Sequence, residues 1–176
     1  MRIAISGKSG CGNTTVSKMT AEALGYRMVN YTFHTLAEEL DIPFDKLCDM
    51  AEKDPQWDRM LDKKQVELSR DGDVVLGSRL AIWLLEDADL KVFLTASPEI
   101  RAARIQKREG GELETVLART LDRDRRDRNR YLKLYGIDNN DYSFADLIID
   151  TEQYSQEEEV KLIIRHLTAN PGQHPV

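Results

Sequence analysis

Five short apolar runs set the limits on what this chain can fold into. They are RIAIS (2–6), YRMVN (26–30), DVVLG (73–77), LKVFLTA (90–96) and DLIID (146–150). Each is strand-length, and the stretches between them carry helical periodicity. Apolar runs without polar alternation belong to strands covered on both faces, and strands separated by helices belong to a parallel sheet. The expected fold is therefore α/β, a three-layer α/β/α sandwich with five parallel strands joined by right-handed crossovers. Ligands of such sheets sit beyond the carboxyl ends of the strands. Gly7, Arg79 and Thr151 each follow a strand, so they should share one rim.

Helices are expected over 14–24, across FHTLAEEL, PFDKLCDMAEKD and PQWDRMLDKKQVELSR, over 98–109, over 112–135, and from Ser155 to about Leu167. Gly25 and Gly136 read as C-terminal stops. Asp54-Pro55 and Ser97-Pro98 read as starts. Ser155 with Glu158 forms a capping box. The expected boundaries are one domain over 1–168 and a frayed tail over 169–176.

The first strand runs into ISGKSGCGNTT (5–15). Gly7, Gly12 and Thr14 satisfy most of the phosphate-loop pattern G-x-x-x-x-G-K-[ST]. Glycines let successive N–H groups turn inward, and the following helix offers its positive dipole end to an anion. The expected cradle is Gly7, Lys8, Ser9, Gly10, Cys11, Gly12, Asn13, Thr14 and Thr15, with Thr14 in the hydroxyl position that holds Mg²⁺. Asn13 stands where the pattern has lysine. It can donate hydrogen bonds but has no charge. Lys8, in the same loop, is the expected replacement cation, with arginines elsewhere in the chain the alternative source of charge.

Residues 119–130 read RTLDRDRRDRNR. Arg119, Arg123, Arg126 and Arg130 recur at spacings of four, three and four, so they share one arc of a helix. Val116, Leu117, Leu121 and Tyr131 should form the packing side. Arg101, Arg104 and Arg108 are expected to repeat the arrangement, aimed outward. Stacked like charges repel, and a polyanion relieves that repulsion. Guanidinium also grips phosphate through a bidentate fork.

The net charge is −6, which argues against a general nucleic-acid binder;. No stretch approaches the length of apolar sequence that spans a bilayer. Two cysteines, Cys11 and Cys48, have no metal-ligand spacing, and no secretion signal is read at the start;. These features favour a reducing cytoplasm.

With the loop, the strands and the arginines together, the chain resembles the nucleoside monophosphate kinases of the P-loop type. It is most similar to archaeal-type cytidylate kinases and their bacterial relatives. The similarity runs from RIAISG to the helix after IIDT. It is carried by AEKDPQWDRMLDKKQ, VVLGSRLAIWLL, ADLKVFLTASPEIRAARIQKRE and RDRRDRNRYLKLYGID. The resemblance implies ATP with Mg²⁺ as donor and CMP or dCMP as acceptor. It implies a helical acceptor region at about 31–70 and an arginine lid at about 109–136. It implies catalytic roles for Arg123, Arg126 and Arg130, to which the loop reading adds Lys8. Acceptor binding would fall to Arg79, Arg108, Asp127 and His34. Small-molecule nucleotides would be the partners of a monomer or weak homodimer.

This chain departs from the family pattern on the acceptor side. NYTFH is about two residues short, and His34 stands where relatives carry an arginine. Gly77, followed by Ser78, stands where they carry an acidic residue. Trp57 and Trp83 read as core anchors, and Asp58 and Asp62, one helical turn apart, as solvated charges. Two further readings stay open from sequence: a non-catalytic nucleotide-binding module, and a kinase of this fold acting on another small molecule.

Overall fold

A computed structural model describes residues 1–169; the expected tail therefore lies outside the described residues beyond Ala169. Five strands, β1 (Arg2–Gly7), β2 (Arg27–Val29), β3 (Val74–Gly77), β4 (Leu90–Thr95) and β5 (Leu147–Asp150), form one sheet in the order β2-β3-β1-β4-β5. Every pairing is parallel; Ile3 lies opposite Val75 on one side and Leu90 on the other. The chain leaves the central strand β1 for β2 and β3 on one side, then crosses to β4 and β5 on the other. That reversal opens a crevice beyond the end of β1, where the glycine loop lies.

The helices among the described residues are α1 (Asn13–Leu24), α2 (Phe33–Glu39), α3 (Phe44–Lys53), α4 (Gln56–Leu68), α5 (Ala81–Leu84), α6 (Pro98–Glu109), α7 (Leu113–Tyr135) and α8 (Gln156–Ala169). Their ends follow the local chemistry. Gly25 and Gly136 close α1 and α7 in the left-handed region. Asp54 accepts the Gln56 N–H at 2.9 Å at the start of α4. Ser155 and Glu158 exchange hydrogen bonds of 2.8 and 3.4 Å before α8. The single-turn α5 was not expected, since one turn within LAIWLL leaves no period to read.

Alternate strand residues feed two cores. Ile3 and Ile5, Val75, and Leu90, Val92 and Leu94 pack with Val16 of α1 and with Val160, Ile163 and Leu167 of α8. Ala4, Val74, Leu76 and Phe93 face the other way, onto Leu36 of α2, Leu47 of α3 and Ile82 of α5. Each fully buried aliphatic side chain contributes about 1.5–3 kcal/mol. Trp57 and Trp83 pack on the second core, and Trp83 meets Phe93 edge-on at 5.8 Å. Ala102 and Ile105 of α6 with Val116 of α7 make a small third cluster, which seats α7 beside the glycine loop.

Candidate active site

The loop between β1 and α1 is shaped by its backbone. Gly10 and Gly12 have φ of 88° and 97°, a region that side chains rarely adopt;. The Cys11 N–H donates to the Lys8 carbonyl at 3.1 Å, closing a tight turn. Cys11 is buried, and burial pushes its thiol up to about 11, so it stays protonated and serves as packing. Thr14 and Thr15 stand exposed in the first turn of α1. Asn13 turns back on the loop: its Nδ2 donates to the Gly7 carbonyl at 2.6 Å. It ties the two ends of the loop together and leaves the charge of a lysine unreplaced at its own position.

Lys8 reaches over the end of the sheet. Its Nζ donates to Asn140 Oδ1 at 2.7 Å and lies 3.8 Å from Asp124 of α7. Arg79, just after β3, donates to Asp127 of α7 at 2.8 Å. Burial opposes the Arg79 charge, but Asp127 and Tyr131 outweigh it and raise its pKa. The Asp127 carboxyl is raised by burial, with Arg79 and Arg123 pulling it back. Gly7, Lys8, Arg79, Asp124, Asp127 and Asn139 line a small hollow between the loop and α7, so the ends of β1 and β3 do share a rim.

Beside it opens a cleft of about 1320 Å³, between α7 and the segment joining α3 to α4. Arg119, Arg123, Arg126 and Arg130 all line it, together with Arg79. The helical arc read from their spacing is thus one wall of a cavity. Tyr131 is buried outside the lining, as expected; Val116 packs on α6 and also lines the cleft, and Leu121 is exposed. Arg123 donates to Ser9 Oγ of the loop at 3.3 Å. Desolvation and the neighbouring Arg79 hold the Arg123 pKa below its ordinary value, with Asp127 and Glu109 pulling it back;.

The remaining expected residues divide. Arg130 donates through Nε to Asp58 of α4 at 3.0 Å, and Arg126 lies 4.0 Å from Glu52 of α3. Asp58 is buried, and Asp62 accepts the Tyr135 hydroxyl at 2.6 Å. Neither carboxylate is the solvated charge expected from sequence; together they fasten α4 to the last turns of α7. Burial raises the Asp62 carboxyl to about 6, against the opposing Tyr135 bond. Arg108 is exposed, pairs with its neighbour Glu109, and lies outside the cleft lining. His34 is exposed and stacks on Phe44 at 3.6 Å between ring centres, also away from the cleft lining.

Of the second stripe, only Arg108 points outward. Arg101 is 2% exposed and Arg104 is half-buried: Arg101 donates to the Ser9 carbonyl and to Asp124, and Arg104 donates to Thr151 at 2.7 and 2.8 Å and to the Gly10 carbonyl at 3.3 Å. Asp124, Asn139 and Asn140 were missed as members of the site. Their partners are distant in sequence, and nothing local in DRDRRD or DNND marks them out.

Comparison with known proteins places the chain among relatives. The model of a family described as "Cytidylate kinase-like family" matches residues 2–153. A protein named cytidylate kinase 2 from Borreliella afzelii is 49% identical over 167 residues, covering 93% of this chain and 94% of that one. A cytidylate kinase from Pyrococcus horikoshii is 41% identical over 170 residues, covering 94% of this chain and 88% of its own. In fold, shikimate kinase from Bacteroides thetaiotaomicron superposes with a TM-score of 0.64 at 16% identity, over 96% of this chain and 98% of its own. Deoxyadenosine kinase from M. mycoides gives a TM-score of 0.58 at 18% identity, over 96% and 99%. Since the matched span takes in the sheet, the glycine loop and the arginine helix, this chain belongs to the cytidylate kinase-like family.

Proposed function

We propose that this chain transfers the γ-phosphoryl group of ATP to the phosphate of CMP or dCMP. The observation that carries the reading is the arginine-lined cleft opening beside a glycine loop at the carboxyl end of β1. The named cytidylate kinases, similar over nearly the whole chain, favour this reading over a non-catalytic module.

In this reading the amides of residues 9–14 receive the ATP phosphates at the start of α1. The acceptor enters the cleft between α4 and α7, with its phosphate toward Arg79 and its nucleoside within reach of Asp127. An acceptor phosphate oxygen attacks the γ-phosphorus, and the bond from that phosphorus to the β,γ-bridging oxygen breaks. ADP and the nucleoside diphosphate leave. The attacking oxygen is already anionic, so the protein needs no general base. Its task is positioning and charge stabilisation, which fall to Lys8, Arg123, Arg126 and Arg130. Phosphate oxygens displace Asp122, Asp58 and Glu52 from these arginines, which converts internal pairs into substrate contacts. Arg108 and His34 would reach substrate only through a movement of α6 and of α2.

The donor set near the loop fits Mg²⁺. Thr14 offers one exposed hydroxyl, and among the described residues no group of three or more His, Cys, Asp or Glu gathers as a metal cage. Mg²⁺ commonly takes one or two protein ligands, phosphates and waters. When bound it neutralises charge between the β- and γ-phosphates.

The two free cysteines fit a reducing cytoplasm, and the chain is read as a monomer or weak homodimer;. Among the described residues no helix is long and apolar enough to cross a membrane.

ADP release with CMP, dCMP, UMP, AMP and no acceptor tests the reading. CMP and dCMP are expected to raise turnover well above the control. ATP binding without acceptor-dependent turnover would return the chain to the non-catalytic alternative. In the same assay Lys8→Ala should lower kcat by about 10²-fold, the usual cost of removing one preorganised donor. A rate near wild type would remove Lys8 from the role of replacement cation.

A further inference from the structure

Arg101 has no assigned role in the transfer, yet it is the most completely bound cation of the molecule's described part. It is 2% exposed, on the first turn of α6. Its Nε donates to the Ala96 carbonyl at 3.3 Å. Its Nη1 donates to the Ser9 carbonyl at 3.1 Å and to Asp124 Oδ1 at 3.1 Å. Its Nη2 completes the fork on Asp124 Oδ2 at 2.5 Å. One guanidinium thus joins the end of β4, the glycine loop and the lid helix α7.

The loop is fitted to this arginine. A Cβ on Gly10 would lie 2.9 Å from both Arg101 Cβ and the Arg101 carbonyl oxygen, so only glycine lets the loop pass so close. The Ser9–Gly10 peptide is trans, and in a planar trans peptide the N–H points opposite to the C=O;. Holding the Ser9 carbonyl on the Arg101 guanidinium therefore turns the Gly10 N–H away from that guanidinium. Asp124, which fixes the fork, is also 3.8 Å from Lys8 Nζ, and Arg123 beside it reaches Ser9 Oγ.

We infer that Arg101 is a positioning residue for the donor nucleotide. It aims the Gly10 amide at the ATP phosphates and, through Asp124, registers the lid against the same peptide. With Asn13 giving the loop a neutral tie where the pattern has a lysine, this buried fork supplies the rigidity from outside. The inference rests on the reading of residues 7–15 as the ATP cradle.

Direct binding titrations separate it from a general structural role. Arg101→Lys keeps the charge but loses the fork. It should weaken binding of a non-hydrolysable ATP analogue by at least about tenfold and leave CMP binding within about twofold, since hydrogen bonds to charged groups are worth this much and the acceptor cleft is untouched. Asp124→Asn, in which Arg101 remains, should shift ATP affinity the same way by less. The double variant should bind ATP no worse than Arg101→Lys alone, because both act on one contact chain. ATP affinity unchanged in Arg101→Lys, or ATP and CMP affinity falling by the same factor, overturns the inference. A wild-type chain that binds CMP but no ATP analogue overturns the cradle reading and this inference together, so the two failures are told apart. Should Arg101→Lys fail to fold, Asp124→Asn alone decides: unchanged ATP affinity overturns the inference.

Discussion

At the scale of single residues, the site is a set of charges that mostly already have partners. Arg79 holds Asp127, Arg130 holds Asp58, and Arg101 holds Asp124. Such pairs hold a dense arginine cluster in place; in the proposed reaction the Arg130–Asp58 pair opens to phosphate, whereas the Arg101–Asp124 fork stays closed. Glu159 of α8 is the exception. It is buried, and its Oε2 has no hydrogen-bond partner among the described residues. Burial lifts its carboxyl from the ordinary 4.5 to about 7, with Arg104 pulling it back. The folded chain therefore holds an extra proton between those two values, and stability falls as pH rises through that window. Glu159→Gln removes the buried charge without changing the shape. It should stabilise the protein by about 1–2 kcal/mol at pH 8 and by almost nothing near pH 5, where the carboxyl is already protonated in the fold. Thermal unfolding at both values reads this directly. An equal gain at both would place the effect in packing instead.

At the scale of elements, the departure at Gly77 has a packing consequence. A Cβ there would lie 2.4 Å from Ser17 Oγ and 2.7 Å from Ser17 Cβ, on the face of α1 that presses on β3. Ser17 is fully buried and has nowhere to retreat. Gly77→Ala should cost about 1–3 kcal/mol, the usual range for overpacking a filled core, measured by chemical denaturation. A neutral result would mean that α1 slides readily along β3. The elements themselves were largely legible in advance. Strand positions, the span of α6 and the stops at Gly25 and Gly136 follow from apolar runs and caps, which are local. The single turn α5 was not legible, because an apolar stretch of that length carries no period.

At the scale of the whole molecule, α7 spans the cleft and is proposed as its lid. Its first half rests on α6 through a small apolar cluster and the Arg101–Asp124 pair, and its last turns are fastened to α4 through Asp58 and Asp62. Bridging both sides of the cleft, it should tighten when both substrates are present. Hydrogen exchange of the amides over 119–130 is expected to slow by about tenfold or more with an ATP analogue and CMP together, since local opening tracks the stability of the contacts that close it. Exchange indifferent to both ligands would argue against a lid.

What the sequence by itself determined is whatever neighbours along the chain decide. Strand, loop and helix in that order made the tight glycine loop at the end of β1, and spacings of four, three and four put Arg119, Arg123, Arg126 and Arg130 on one wall. Only the tertiary structure decided which charges meet. Lys8 and Asn140 are 132 residues apart, Arg101 and Ser9 are 92, and Arg130 and Asp58 are 72. An arginine on a helix face looks the same in sequence whether it faces water, a substrate or a buried carbonyl. Arg101 turned inward and Arg108 outward because Gly10 brings the loop's carbonyl groups against only one side of α6, a contact that exists only once the sheet has folded.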